Sequence, residues 1–118
     1  MNNAILSEKY TVKLIKESSL SISSGTSGGL FLTDYEVIFD PGNTFLSNFN
    51  NSTSGRFENW TTIPIKEINH IEIGSFKNLW KTIYTLRINL KSGEKYIFMM
   101  TSESAADKWL SEIKRLMQ

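Results

Sequence analysis

The sequence predicts a mainly β fold, a partly open barrel of about seven antiparallel strands capped by one C-terminal α-helix. From about residue 9 to residue 100, short apolar stretches recur between segments rich in Gly, Ser and Asn, which is typical of a protein built from short strands. No helical pattern separates these stretches, so the chain has no crossover segments for parallel pairing and the strands must be antiparallel. After residue 101 the apolar residues recur at intervals of three and four, which is the period of an amphipathic helix.

Length and composition narrow the class of protein. The 118 residues fit a single domain over 1–118, and a hydrophobic fraction of 40% is enough for one core. Thirteen basic residues against 12 acidic ones give a net charge of +1, which argues against a nucleic-acid partner. The absence of cysteine excludes disulfides and thiolate metal sites. With no secretory leader and no apolar run of ~18 residues, we expect a cytoplasmic protein, and the frequent Asn, Ile and Lys suggest a bacterial source.

The first third of the chain predicts strands joined by polar loops. Residues 9–22 alternate in part and predict one or two strands, and residues 23–29 predict a Gly/Ser loop. Residues 29–39 predict a hairpin that turns at Asp34 and Tyr35, with apolar side chains on one face of each arm.

The middle of the chain predicts a long loop and two further strands. Residues 41–55 are rich in Asn, Ser and Gly and predict the loop. Residues 57–65 predict a strand in which Pro64 must lie at an end or an edge, because proline cannot donate to a central ladder. The strand pattern restarts over 68–73 with the opposite parity, which implies a bend between the two segments.

The last third predicts a hairpin and the closing helix. Strands are predicted over 83–90 and 95–100, joined by a tight turn, with residues 74–82 as the preceding loop. The helix is predicted over roughly 102–117, with Thr101 or Ser102 as its N-cap. Its apolar stripe consists of Ala105, Ala106, Trp109, Leu110, Ile113, Leu116 and Met117. We expect Trp109, Leu110 and Ile113 to form the structural cap of the barrel.

Four short motifs in this order resemble a known family. They are the hairpin Gly-Leu-Phe-Leu-Thr-Asp-Tyr-Glu-Val-Ile-Phe at 29–39, Ile-Pro-Ile-Lys-Glu-Ile at 63–68, Gly-Glu-Lys-Tyr-Ile-Phe at 93–98, and Trp109-Leu110 in the final helix. Together they resemble the GRAM and pleckstrin-homology-like (PH-like) domains, over nearly the whole chain from Glu8 to Leu116. The resemblance implies a seven-stranded, partly open barrel with two nearly orthogonal sheets, closed by the C-terminal helix, and it implies a binding module rather than an enzyme.

The chain departs from this family in its basic residues. Pleckstrin-homology domains that bind phosphoinositides carry several Lys and Arg on the first two strands and the loop between them. Lys13 and Lys16 are present here, but residues 18–29 contain no basic residue. Specific phosphoinositide binding is therefore not expected.

The sequence offers no convincing catalytic or metal site. Residues 25–29 match the G-x-S-x-G pattern of a nucleophile elbow, but that motif needs a preceding strand, a following helix and a large α/β sheet. His70 is the only histidine and is predicted to face solvent beside Glu72, without a nucleophile in a suitable position. The acidic residues are scattered singly rather than at metal-ligand spacing. We expect no catalytic residue, no metal and no cofactor.

The segment 74–82 is the strongest candidate for a contact site. It carries three large apolar residues interleaved with two lysines, namely Phe76, Lys77, Leu79, Trp80 and Lys81. Aromatic rings beside lysines suit a membrane interface, and the same content suits a hot spot for a protein partner. A third interpretation is that the flanking strands extend further and these residues simply pack.

The predicted function is therefore that of a non-catalytic interaction module. The first hypothesis is binding of a protein partner or self-association, through a sheet edge or the 74–82 segment. The alternative is a peripheral contact with an anionic lipid surface through Lys77, Trp80 and Lys81. Two lysines attract an anionic leaflet by only ~2 kcal/mol, so such a contact would hold the protein at the membrane transiently.

Overall fold

The computed structural model describes residues 4–41 and 60–118 and contains seven strands and two helices. The strands are β1 (Leu6–Leu14), β2 (Thr26–Leu32), β3 (Glu36–Pro41), β4 (Thr61–Pro64), β5 (Ile68–Asn78), β6 (Lys81–Leu90) and β7 (Lys95–Met100). The helices are α1 (Ser19–Ser24) and α2 (Glu103–Met117), and a single 3₁₀ turn (Ile65–Glu67) joins β4 to β5.

The seven strands form one antiparallel sheet with the order β4-β3-β2-β1-β7-β6-β5. β4 and β5 lie at opposite ends of this order, yet only the 3₁₀ turn separates them along the chain. Ile63 of β4 and Ile71 of β5 both belong to the same buried cluster. The sheet is therefore curled into a half-barrel, and the prediction of a mainly β fold with about seven antiparallel strands and a C-terminal helix is confirmed.

The main core fills the inside of this curl. It contains buried residues from the six strands β2 to β7, the 3₁₀ turn and one face of α2. The contribution of α2 is Ala106, Trp109 and Ile113, which are fully buried. A second, smaller cluster contains Val12, Leu14 and Ile97, with Ile22 of α1 and Phe76 of β5 packed against it.

Several local predictions agree with the structure. The hairpin of β2 and β3 buries Leu30 and Leu32 against Val37 and Phe39. Pro64 is the last residue of β4, which is an edge strand, and the 3₁₀ turn supplies the bend before β5. The helix α2 begins after Ser102, whose hydroxyl accepts a hydrogen bond from the Ala105 N–H at 3.1 Å.

The prediction for residues 9–29 is wrong in part. A single strand runs over Leu6–Leu14, and residues 19–24 form α1 rather than a second strand or a loop. Ser18 caps this helix through its side chain, and Thr26–Gly29, predicted as loop, already belongs to β2. Gly28 lies so close to Asp40 of β3 that a Cβ would meet its carbonyl oxygen, so glycine here permits close strand pairing rather than breaking the strand.

The prediction that residues 74–82 form a loop is also wrong. β5 continues to Asn78 and β6 begins at Lys81, with paired residues along the whole length. Only Leu79 and Trp80 remain as the turn of this hairpin. The segment 41–55 lies outside the described residues except for Pro41, as do residues 57–59 of the predicted strand.

Among the described residues, no helix is long and apolar enough to cross a membrane.

Candidate functional site

The end of the β5–β6 hairpin exposes two large apolar side chains. Asn78 pairs with Lys81, so Leu79 and Trp80 form a two-residue turn. Leu79 is 82% exposed and Trp80 is 94% exposed, and large apolar side chains are ordinarily withdrawn from water. We call Leu79 and Trp80, together with the flanking Lys77 and Lys81, the hairpin tip.

The two residues of the turn, Leu79 and Trp80, are not residue types that favour its backbone conformation. Leu79 has φ 61°, whereas Trp80 does not have a positive φ. A positive φ at the first central residue alone is the pattern of a type II′ turn, which usually has glycine at that position. A leucine there is strained and gains nothing from burial, so turn stability does not explain the Leu79-Trp80 pair.

Replacing Leu79 by glycine is expected to stabilise the fold. In Leu79→Gly the strain of the left-handed conformation, about 1–2 kcal/mol, is removed, and the greater chain entropy of glycine offsets about 0.5–1 kcal/mol of it. The free energy of unfolding in urea should therefore rise by about 0.5–1 kcal/mol. Leu79→Ala is the matched control, because it keeps the Cβ and the strain, and a control that rises equally would contradict the strained turn.

The structure separates the five candidate residues of this segment into two groups. Lys77, Leu79, Trp80 and Lys81 are all exposed at the hairpin tip. The Lys77 ammonium donates a hydrogen bond to the Thr82 hydroxyl at 3.0 Å. Phe76 instead packs against the smaller apolar cluster and is only partly exposed. The packing interpretation therefore holds for Phe76, and the contact interpretation remains for the other four.

A second exposed apolar element lies beside the hairpin, and sequence reasoning missed it. In the connection between β1 and β2, Ile15 is 78% exposed and Leu20 is 80% exposed. The Ser19 hydroxyl donates to the Lys77 carbonyl at 3.4 Å, so this connection reaches the strand that leads into the hairpin tip. We call residues 15–20 the β1–β2 arm.

An ion-pair network attaches the arm to the sheet. Arg87 of β6 contacts Glu17 of the arm (Nη2 to Oε1, 2.6 Å) and Glu72 of β5 (Nη1 to Oε2, 2.7 Å). The Thr85 hydroxyl also donates to Glu17. A Cβ at Gly74 would overlap both Arg87 Nε and Glu17 Oε2, so glycine at this position leaves room for the contact.

The network shifts the pKa values of its members in the direction that favours the charged forms. Burial raises the pKa of Glu17, but hydrogen bonds from Arg87 and Thr85 outweigh it and the net pKa is lowered. The pKa of Glu72 is lowered by hydrogen bonds from Arg87 and His70. The pKa of Arg87 is raised by its hydrogen bonds to the two carboxylates. All three groups are therefore ionised near neutral pH.

The remaining sequence candidates occupy positions with structural contacts. His70 is exposed and contacts Glu72 at 3.1 Å (Nε2 to Oε1). Trp109 is fully buried, and its indole N–H donates to Glu8 Oε2 of β1 at 3.1 Å. Ile113 is also fully buried, whereas Leu110 is partly buried against the same core.

The segment that matches the nucleophile-elbow pattern has a different geometry. Gly25 follows α1, and residues 26–29 are the first residues of β2, which is the reverse of the strand-then-helix order that an elbow requires. Within residues 4–41 and 60–118, no group of three or more His, Asp or Glu side chains is arranged to hold a metal ion.

Comparisons with known proteins bear on the fold. No family model and no curated protein sequence matches the chain. Among solved structures, the fold is similar to the crystal structure of the C-terminal domain of an unknown protein from Leishmania infantum, with a TM-score of 0.59 and 11% sequence identity. The similarity covers 98% of this chain and 85% of that chain. At this level of identity the likeness establishes a shared fold.

Proposed function

We propose that this chain is a non-catalytic interaction module of the GRAM and PH-like type, and that the hairpin tip is its contact site. The four sequence motifs in their expected order support the type, as do the seven antiparallel strands with a closing C-terminal helix. One observation supports the contact site. Leu79 and Trp80 are almost fully exposed in a turn whose geometry favours neither residue.

The partner class that the tip favours is an anionic membrane surface. Leu79 and Trp80 form the end of the hairpin, and Lys77 and Lys81 lie directly behind them. This arrangement suits an indole ring at headgroup level with ammonium groups against lipid phosphate. The lysines contribute about 2 kcal/mol, and partial burial of the two apolar side chains adds about 3 kcal/mol. Binding is therefore weak and reversible unless several copies act together.

A protein partner or a second copy of the chain is the other candidate. β5 is eleven residues long and lies at the end of the strand order, with β6 as its neighbour in the sheet. A long edge strand offers backbone groups for pairing with another strand. Tryptophan is also among the residue types enriched in the hot spots of protein interfaces. Because β5 is a long edge strand, self-association through it is the alternative that the experiment must separate from lipid binding.

Co-sedimentation with lipid vesicles tests the proposal. The wild-type chain should bind phosphatidylcholine vesicles that contain phosphatidylserine at low salt, and it should bind less at high salt because exposed charges are screened. Trp80→Ala should weaken binding about tenfold, because it removes the larger of the two inserting side chains. Lys77→Gln with Lys81→Gln should remove most of the salt dependence.

The matched control is Tyr35→Ala. Tyr35 is also exposed. Its carbonyl oxygen accepts a hydrogen bond from the N–H of Ile65, in the 3₁₀ turn that precedes β5, so it lies near the start of that strand. The hairpin tip lies at the other end of β5, whose eleven residues span about 35 Å when extended, so this variant should bind vesicles like the wild type. Absence of wild-type binding to any vesicle would remove the membrane proposal. A dimer in native mass spectrometry that persists without lipid would support self-association instead.

A further inference from the structure

An open cavity of about 610 Å³ lies where the 3₁₀ turn leads into β5. Its walls come from the β2–β3 turn, from the residues between β4 and β5, and from the end of α2. The apolar part of this lining is Tyr35, Pro64, Ile65, Leu116 and Met117. Tyr35 is 53% exposed and Met117 is 37% exposed, so the cavity presents apolar surface to solvent. We call it the α2 groove.

The rim of the α2 groove is more acidic than basic. Asp34 and Glu36 contribute two carboxylates to the lining, whereas Lys66 contributes one ammonium group. Within the part of the chain that the structure describes, neither carboxylate takes part in an ion pair. The groove therefore combines an apolar wall with two carboxylates that are open to a cationic partner.

The hairpin tip has the complementary shape and charge. Leu79 and Trp80 protrude from the end of the β5–β6 hairpin, and Lys77 and Lys81 flank them. Residues 75–82 contain no acidic residue. Pockets of about 300–1,000 Å³ enclose most of the surface of a bound small molecule, so the α2 groove has room for the two apolar side chains of the tip.

The tip and the groove lie at opposite ends of the same strand. The groove is lined by residues just before Ile68, the first residue of β5, and the tip follows Asn78, its last residue. Eleven residues span about 35 Å when extended. A tip therefore cannot enter the groove of its own chain, and a contact between the two surfaces must join two copies.

We propose that the hairpin tip of one copy docks in the α2 groove of a second copy. Trp80 is the buried anchor of this contact, and the two lysines of the tip meet the Asp34 and Glu36 carboxylates of the second copy. The contact joins two different surfaces, so it does not close at two copies and can continue as an open series. This inference rests on the proposed role of the tip as the contact site, and it makes the groove and the membrane competitors for the same side chains.

The association should be weak and reversible. A contact formed by one two-residue turn and its flanking lysines buries much less than the about 1,200 Å² at which stable interfaces begin. We therefore expect a dissociation constant on the order of 0.1–1 mM, so that single copies predominate in dilute solution and the tip is then free to bind lipid.

Sedimentation velocity with two complementary variants tests the contact. Leu79→Ser with Trp80→Ser removes the tip and keeps the groove, whereas Asp34→Lys with Met117→Lys blocks the groove and keeps the tip. All four positions are exposed, so neither variant should melt below the wild type. The wild type should associate as its concentration approaches about 1 mM, and each variant alone should associate at least tenfold more weakly. An equimolar mixture should form a one-to-one dimer and nothing larger, because only one tip and one groove remain intact in each pair.

The outcomes separate this contact from association through the edge of β5. Both variants keep that edge, so edge pairing would let each of them associate as strongly as the wild type, and that result would overturn the inference. A mixture that stays monomeric while the wild type associates would also overturn it.

Vesicle binding separates this inference from the proposed function. The groove variant keeps the tip, so it should bind phosphatidylserine-containing vesicles at least as well as the wild type. Vesicle binding by a wild type that shows no association would sink the docking contact alone. A one-to-one dimer from the mixture, without vesicle binding by any form, would support the docking contact and sink the lipid assignment alone.

Discussion

Truncation of Trp109 is expected to destabilise the protein by about 3–5 kcal/mol. Trp109 is 0% exposed and lies on α2 between Ala106 and Ile113, in the cluster that joins the helix to the curled sheet. Trp109→Ala would leave a large cavity there, and it would remove the indole N–H that donates a hydrogen bond to the Glu8 carboxylate. Since small domains are stable by only about 5–15 kcal/mol, the urea midpoint should fall steeply or the chain should fail to fold.

Two further variants keep this expectation testable. Trp109→Phe retains most of the volume and loses only the hydrogen bond to Glu8, so its cost should be about 1–2 kcal/mol. Met117→Ala changes an exposed position on the same helix and should cost less than about 1 kcal/mol. A Trp109→Ala protein that unfolds at the wild-type urea concentration would contradict the role of α2 as the closure of the half-barrel.

The elements that the sequence predicts well are those whose pattern is set by burial on one face. In β2, Leu30 and Leu32 are buried on either side of the less buried Phe31. In β3, Val37 and Phe39 belong to the same core, although Ile38 and Asp40 between and after them are also buried. In α2 the spacing of Ala106, Trp109 and Ile113 has the helical period for the same reason. Such patterns depend on a single element and its one buried face, so they can be read locally.

The helix α1 could not be read in this way. Its sequence, Ser-Leu-Ser-Ile-Ser-Ser, has low helix propensity and resembles an alternating strand. The helix is supported by the Ser18 cap and by Ser21, which contacts the preceding backbone. It also packs Ile22 against a cluster that contains distant strands. These are specific hydrogen bonds and tertiary contacts, and the periodicity of the sequence does not predict them.

The candidate site was predicted in part for a related reason. Lysines and tryptophan in 74–82 are visible in the sequence, but Leu79-Trp80 carries no turn signal of the Asn-Gly type, so the hairpin was mistaken for a loop. The exposure of Leu20 depends on the arm being attached through Glu17 to Arg87, seventy residues later in the chain. A contact between residues that far apart in the chain cannot be predicted from the pattern of a single sequence.

Removal of Arg87 is expected to destabilise the protein by about 1–3 kcal/mol at neutral pH. Arg87→Met leaves the mostly buried Glu17 with Thr85 as its remaining side-chain partner, and an unpaired carboxylate in such a place is costly. The effect lies below that of a fully buried pair because Arg87 is about one-third exposed. Arg115→Met is the matched control. It breaks an exposed pair with Glu112 one turn away on α2, and it should cost less than about 0.5 kcal/mol.

The pH dependence of this loss distinguishes the ion pair from simple packing of the arginine side chain. The pKa values of Glu17 and Glu72 are lowered in the folded wild type, so their stabilising contribution is present above the unfolded value of about 4.5 and is lost as pH falls through the folded values. In Arg87→Met, burial of Glu17 is no longer opposed by the arginine, and its carboxyl group is easier to protonate in the folded state. The difference in unfolding free energy between wild type and variant should therefore shrink between pH 7 and pH 3. Urea titrations at several pH values measure it, and a difference that is the same at both ends would mean that the packing of Arg87, and not its charge, holds the β1–β2 arm against the sheet.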